Sequence, residues 1–499
     1  MGHRPARLMS VVCLAALLGL MSTSRVQGTG WTWLTVSRLE KAFDPGLSGA
    51  LVVGAPPVRG VAALSGDLVS LYRIEADGRF AAEGSFLTDA PWSAAALGDV
   101  DADGRWEIIG ARGEEGALTV DRWVNGQRIP LGAARYSWAR IDALYLAATG
   151  SGRTVVAAPA SGGIISYLVG GKGLEPAGIT EPGQRFRLFG VGDLDGDGYD
   201  ELVAGSGRSE LSVFRWDPEA GWIRWWQNYP WGGVLAAVVS DLDDDGRPEV
   251  AVVSGERLVY VFSGNEGRTG LALRWQGTVA LPMPLLGVTA LPPLSSPEKG
   301  PAELVGGLVL YGRGEVHTLR FSPDLTAADD RAWILPWLTE AGGLPGRSPG
   351  DLLQLQLLTR FADGTLAAVG VVPSERLQLL WSTAEREETP VSSTLVRNGR
   401  LYVGLREISA RLSLDLSWDE TQHVTKVKTP VGRTVEVAAG RAMRAGGESI
   451  PGTGRPVEEG GRLYLEARDV ARVFPPEDPK APRLVVALGD RRWPATDLW

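Results

Sequence analysis

Three nine-residue segments carry carboxylates at alternating positions: 99–107 (DVDADGRWE), 193–201 (DLDGDGYDE) and 241–249 (DLDDDGRPE). That spacing suits a hard cation. Calcium takes about six to eight oxygen ligands, and a loop that curls around it needs inward carboxylates and one sharp bend. Positions 1, 3 and 5 supply the carboxylates and Gly at position 6 allows the bend. Position 7 offers a backbone carbonyl, and Glu at position 9 closes the cage. The predicted ligands are therefore Asp99, Asp101, Asp103, the Arg105 carbonyl and Glu107 in the first loop. In the second they are Asp193, Asp195, Asp197, the Tyr199 carbonyl and Glu201, and in the third Asp241, Asp243, Asp245, the Arg247 carbonyl and Glu249. The alternative is a set of acidic surface turns, but four carboxylates so close together repel one another strongly without a cation. The loops are too short for EF-hands, and β-type runs flank them rather than helices.

Those runs are the elements that must position the loops. SAAALG, FRLFGVG and LAAVVS precede them; IIGA, LVAG and VAVV follow. The loops start 94 and then 48 residues apart, and 94 is twice 47, so a degraded copy is expected between the first two. Thr154 onward (TVVAAPASGGIISYL) fits it. Further copies begin at Leu51, Leu304 and Leu366, which makes Leu51, Ile108, Val155, Leu202, Val250, Leu304 and Leu366 equivalent positions. Units of about 50 residues with several short strands indicate β-propeller blades. Seven units fit one ring from Trp31 to Ser382. Around Asp44 and Asp363 only fragments of the loop survive, and no metal is expected there.

The three D-x-D-x-D-G-x-x-E loops, with the GAP-like ends at Gly54-Ala55-Pro56 and Ala157-Ala158-Pro159, resemble the FG-GAP or VCBS propeller repeats of integrin α-chain heads and of many secreted bacterial proteins. The resemblance implies calcium in the three complete loops, about three ions in all. That family usually has Asp at position 9. The longer Glu could bind in two-point fashion or shift the strand.

The chain has 499 residues, 44% of them hydrophobic and 22% charged, enough for a large core and against global disorder. Its net charge of −9 argues against nucleic acid as a partner. Three His and one Cys exclude zinc, iron–sulfur and disulfide frameworks. Residues 1–28 are expected to be a signal peptide: Arg4 and Arg7 precede an apolar stretch, and cleavage is placed after Gly28. An uncleaved anchor is the alternative. Removal leaves 47 basic and 59 acidic residues, a net of −12, with no later run apolar enough for a transmembrane helix.

A second domain, 391–499, is expected after a polar linker, 384–390, the chain dividing near 383–392. It holds its own duplication, because GRLYVGLREISARL (399–412) recurs at an offset of 62 as GRLYLEARDVARVF (461–474). Each copy reads as a strand leading into an amphipathic helix. A strand, a turn at Asp419-Glu420 and a second strand follow the first. The run from Asn398 to Arg406, with Trp418-Asp419, resembles the N-terminal domain of copper amine oxidases. The resemblance implies a small α+β module and no oxidase activity. Copper there needs three His, whereas only His317 and His423 lie beyond the expected signal; each reads as a strand-surface residue.

Tryptophan is frequent, 18 in all, with Trp222, Trp225, Trp226 and Trp231 clustered and Trp31 and Trp33 opening the ring. Packing between blades is the favoured reading, a glycan-stacking face the other. Residues 322–337 read as a capping excursion with helix-start chemistry at Ser322-Pro323. No G-x-S-x-G, Walker or H-E-x-x-H motif occurs. The expectation is a mainly β protein, a seven-bladed β-propeller (29–383) followed by a small α+β domain with an internal duplication. Its expected role is that of a secreted or cell-surface, non-enzymatic binding or scaffold protein, with no nucleotide, copper or zinc. Its partner would be an envelope polymer, a glycan or a protein. The alternative is a secreted glycoside hydrolase or polysaccharide lyase on the same scaffold.

Overall fold

The computed structural model describes residues 31–498, apart from 45–48, 55–59, 292–305, 344–353, 476–480 and shorter stretches of one to three residues. The expected signal peptide, the first GAP-like end beyond Gly54, and Leu304 lie outside the described residues. Among these, seven four-stranded antiparallel sheets follow one another. Six span 49–87, 92–135, 141–180, 186–228, 236–278 and 285–334. The seventh joins three strands from 338–373 to Trp31–Leu39, so the segment nearest the N-terminus supplies its outermost strand. First strands of successive sheets lie side by side, and Leu338–Gly343 returns against Gly49–Val53. The result is a β-propeller-like ring closed by its two ends.

Burial explains the strand patterns. The second strands, such as Gly60–Ser65 and Glu201–Ser206, are buried throughout because neighbouring sheets cover both faces. Outer strands such as Leu271–Thr278 are largely exposed. All seven sheets share a bulge between their third and fourth strands, with one extra residue at Val36, Glu83, Leu131, Ala177, Trp225, Arg274 and Ala328. A bulge bends and twists the strand that carries it. This backbone feature persists in sheets that have lost the aspartate loop.

The aromatic residues mostly pack between sheets. Trp222 is buried and donates Nε1–H to Ser166 Oγ of the preceding sheet at 2.8 Å. Trp226 meets Phe262 of the next sheet edge-on at 5.3 Å. Trp231 departs from the pattern at 74% exposure.

Several expectations are corrected. Ile108, Val155, Leu202 and Val250 do lie on second strands, but Leu51 is on a first strand and Leu366 on a third. Short apolar strands resemble one another in composition, so without the loop as a marker the phase slips. Residues 327–334 are the outer strand of the sixth sheet rather than a capping excursion, because its ladder needs a fourth strand. His317 is buried and bonded to Glu315 at 2.7 Å, and His423 sits in a turn with φ of 53°; neither lies on a strand surface. Within the expected linker, Glu388–Pro390 is a strand paired to Gln378–Ser382, which pairs in turn with Arg483–Leu488. Gln378–Ser382 thus belongs to the C-terminal sheets rather than to the last blade.

Three sheets form this additional β domain, together with helices α1 (Leu405–Leu412) and α2 (Ala467–Val473). The duplication is visible in its register. Val403 pairs with Leu465, its own counterpart 62 residues on, and the flanking hairpins pair Leu395 with Tyr402 and Val457 with Tyr464. The two copies are therefore related by a local two-fold axis. Glu407 of α1 accepts the N–H of Ser392 at 3.0 Å, and Asp469 of α2 accepts that of Gly454 at 2.7 Å. Leu34 and Val372 of the seventh sheet share one core with Trp381, Ile408, Val470 and Trp493. No described helix is long and apolar enough to cross a membrane.

Candidate metal centres

Each aspartate loop joins the first strand of its sheet to the second. The bend falls where expected: Gly104, Gly198 and Gly246 adopt φ of 84°, 93° and 88°, conformations that side chains with a Cβ resist. Position 1 holds the curl. Asp99, Asp193 and Asp241 each accept the N–H of the position-6 glycine at 2.9 Å through Oδ2. Position 5 braces its own exit, since Asp103, Asp197 and Asp245 accept the N–H of Arg105, Tyr199 and Arg247 at 2.8–2.9 Å.

The position-9 glutamates are buried. One oxygen of each is committed to the backbone: Val100, Leu194 and Leu242 donate N–H to Oε2 of Glu107, Glu201 and Glu249 at 3.0, 2.8 and 2.7 Å. The extra methylene of Glu, compared with Asp, supplies the reach for that bond. In each loop three carboxylates bring one oxygen apiece within 4.8 Å of the others: Asp99, Asp101 and Glu107; Asp193, Asp195 and Asp197; Asp241, Asp243 and Glu249. Asp103, Glu201 and Asp245 lie outside these sets. All-oxygen donor sets of this kind fit a hard cation.

The position-2 residues insert between sheets. Val100, Leu194 and Leu242 are buried where their own sheet meets the next one in the ring. Neighbouring backbone seals the junctions: Gly306 N–H of the sixth sheet donates to Leu242 O at 2.9 Å. The second loop also touches the preceding sheet, where Asp200 N–H donates to Ala148 O and Ala148 N–H to Asp200 Oδ2. The loops therefore lie at sheet–sheet junctions rather than within one sheet.

Two loops contain an internal cation that spacing alone does not mark. The Arg122 guanidinium reaches Asp101, Asp103 Oδ2 at 3.0 Å and Glu107 Oε1 at 2.6 Å. Arg215 reaches Asp195, with its Nε 3.6 Å from Glu201 Oε1, and stacks on Trp225 at 4.6 Å. In the third loop the strand register puts Ser263 beside Glu249. Burial pushes Glu249 up to about 8, with Asp243, Asp241 and Asp245 adding to the rise. Asp241 and Asp243 are also raised, again mainly by burial. Glu201 stands at about 8 for the same first cause. Glu107 is raised as well, although Arg122 opposes the burial. Carboxylates raised chiefly by burial are ones whose charge a bound cation would relieve.

Among the described residues no comparable cluster forms around Asp44 or Asp363. Asp363 instead accepts the N–H of Thr365 at 2.9 Å.

Residues 193–252 match the FG-GAP-like repeat family, a segment that covers the second and third loops. The three buried acidic clusters are consistent with the calcium sites of such repeats. No curated protein matches the chain. Solved structures similar to it include Saccharomyces cerevisiae Sqt1, at 13% identity over 68% of this chain and 99% of that one, with a TM-score of 0.44. The periplasmic gluconolactonase PpgL of Pseudomonas aeruginosa is 14% identical over 61% and 96%, with a TM-score of 0.43. BBS1N, solved in complex with ARL6DN, is 13% identical over 69% and 97%, with a TM-score of 0.45. The fold assignment rests on the sheet order rather than on these scores.

Proposed function

We propose that this protein is an exported, non-enzymatic binding scaffold of the cell envelope, a seven-bladed β-propeller whose blades are stapled by calcium. In this reading the C-terminal domain, akin to the copper amine oxidase N-terminal module, presents the surface for an envelope polymer or partner. The observation that carries the proposal is three convergent carboxylate clusters in loops whose position-2 side chains plug the junctions between blades. The export signal read in residues 1–28 and the acidic net charge support the location and argue against a nucleic-acid partner.

The ligands would be Asp99, Asp101, Asp103, the Arg105 carbonyl and Glu107; Asp193, Asp195, Asp197, the Tyr199 carbonyl and Glu201; and Asp241, Asp243, Asp245, the Arg247 carbonyl and Glu249. The metal would neutralise buried carboxylates and hold the apolar plug of each loop in its junction. An unfolded chain cannot assemble these ligands, so binding favours the folded ring. At free calcium about one hundred times the dissociation constant, one site contributes about 2.7 kcal/mol.

Calorimetry of the full chain with chelator and with millimolar calcium tests this. Chelation should lower the melting temperature, Asp243→Ala should shrink the shift, and Asp363→Ala should leave it intact. Identical curves in the two conditions would overturn the calcium scaffold. Release of reducing ends from glycan substrates, abolished by a carboxylate substitution outside the loops, would overturn the non-enzymatic assignment.

A further inference from the structure

A groove of about 1060 Å³ opens in the C-terminal domain between α1, the hairpin of strands Asp415–Asp419 and Val424–Lys428, and the turn at 460–461 with the start of the strand Arg462–Glu466. Four arginines line it: Arg406 and Arg411 on α1, Arg441, and Arg462. All four are exposed, and none has an ion-pair partner among the described residues. The hairpin adds Leu416 and Trp418 from one strand face, with Trp418 59% exposed and the His423 ring 6.3 Å away. Of the acidic side chains on its walls, Glu407 is committed to the N–H groups of Ser392 and Ser393, which leaves Glu458. The setting is also distinct. Residues 391–499 hold 17 basic and 14 acidic residues, a net of +3, whereas 1–390 hold 33 and 45, a net of −12.

We propose that this groove binds an anionic polysaccharide whose charge is a carboxylate borne on the sugar ring, that is, a uronate polymer. The proposal rests on the envelope-binding reading above and gives it a ligand chemistry. An exposed indole offers a flat apolar face that stacks against the C–H face of a pyranose. Guanidinium groups pair with planar carboxylates through two parallel hydrogen bonds. A uronate carries the ring and the carboxylate on the same residue, so one sugar satisfies both features of the groove. A neutral glycan would leave four guanidinium groups unmatched, and a polyol phosphate chain would leave the indole without a ring. Single-stranded nucleic acid is bound along a basic track with several stacking aromatics, whereas this groove has a single exposed indole on a chain of net negative charge.

The test is titration calorimetry of the full-length protein with a hexameric oligogalacturonate, at low and at raised salt. The expected result is saturable binding that weakens with salt. Trp418→Ala and the double variant Arg406→Ala/Arg411→Ala should each weaken it by about tenfold, the loss of one stacking or charge-assisted contact. Arg441→Glu should weaken it from the opposite wall. These residues are exposed, so unchanged melting temperatures verify that the variants fold. Absence of binding, binding indifferent to all three variants, or tighter binding of a neutral malto-oligosaccharide, a glycerol phosphate polymer or oligo-dT would overturn the proposal. The chelator-dependent melting shift is read on the same samples. A retained shift without oligogalacturonate binding removes the groove assignment alone. A lost shift with binding retained removes the calcium scaffold alone.

Discussion

Beside the position-9 glutamate, on the neighbouring strand, the three loops carry Arg122, Arg215 and Ser263. An arginine there is a tethered competitor for an added cation, because its guanidinium already neutralises the carboxylates that the metal would use. In the third loop Ser263 takes that place, and Arg274 opposes the rise of Asp243 without an ion pair among the described residues, so this loop should bind calcium most tightly. Ser263→Arg should therefore lower the affinity of that loop by about tenfold or more, since a cation pairing buried carboxylates changes their energy by at least a kcal/mol or two. Arg215→Ser should raise the affinity of the second loop. Calcium titration of the two variants checks both expectations, and an isotherm unchanged by Ser263→Arg would remove the competition argument. The aspartates and the position-6 glycines were legible in the sequence because a curled loop fixes their spacing. The arginines were not, because they reach the cage across a hairpin of variable length: Arg122 lies 15 residues after its glutamate and Arg215 lies 14.

The strand–helix units of the C-terminal domain show what a repeated element keeps and what it changes. Both helices were legible, since apolar residues recur with the helical period and the two copies share one offset. Both use an acidic residue in the first helical turn to hold the loop before their hairpin. Glu407 also bonds Ser393 N–H and Trp381 Nε1–H, whereas Asp469 is buried and its Oδ1 has no hydrogen bond. Burial, and then the charge of Glu466, push Asp469 up to about 6, with Arg468 and Arg472 opposing them. A carboxyl raised from 3.8 to about 6 in the folded state favours folding fully below the lower value, and that contribution is lost as pH rises through the upper one. The C-terminal domain should thus gain stability from this group as pH falls from neutral toward 4. Asp469→Asn keeps the acceptor for Gly454 and removes the charge, so it should raise the melting temperature at neutral pH and flatten its dependence between pH 4 and 6. Thermal melts of the two proteins across that range decide it, and parallel profiles would exclude Asp469 as the source. Outer blade strands such as Leu271–Thr278 were hidden from the sequence for the opposite reason. They are mostly exposed, so little in their composition separates them from loops.

At the scale of the whole molecule, the two parts are joined more closely than a polar linker implies. The chain leaves the ring at Pro373 and enters the C-terminal sheets at Gln378, and Glu388 pairs with Arg492 through both carboxylate oxygens. The chain's last described turn then returns to the ring. Trp493 donates Nε1–H to Val36 O at 3.0 Å, and Leu498 bridges Leu34. Both contacts fall on Trp31–Leu39, the strand whose pairing with Leu366–Pro373 closes the ring. An outer strand paired on one side only is the weakest member of its sheet, and here the C-terminal domain covers it. In sequence the two parts look separable because each has complete repeats, whereas the core and hydrogen bonds that join them bring Leu34 and Val36 against residues near the other end of the chain, a pairing no local pattern marks. Trp493→Ala should cost about 3–5 kcal/mol, as for other buried large-to-small changes. Part of that loss should appear in the ring itself. Hydrogen exchange of the full chain should show faster exchange across 31–39 and 366–373 in the variant, while the strands of the third and fourth sheets keep their protection. If the domains were independent, the added exchange would stay within 378–498, and closure of the ring would owe nothing to the C-terminal domain.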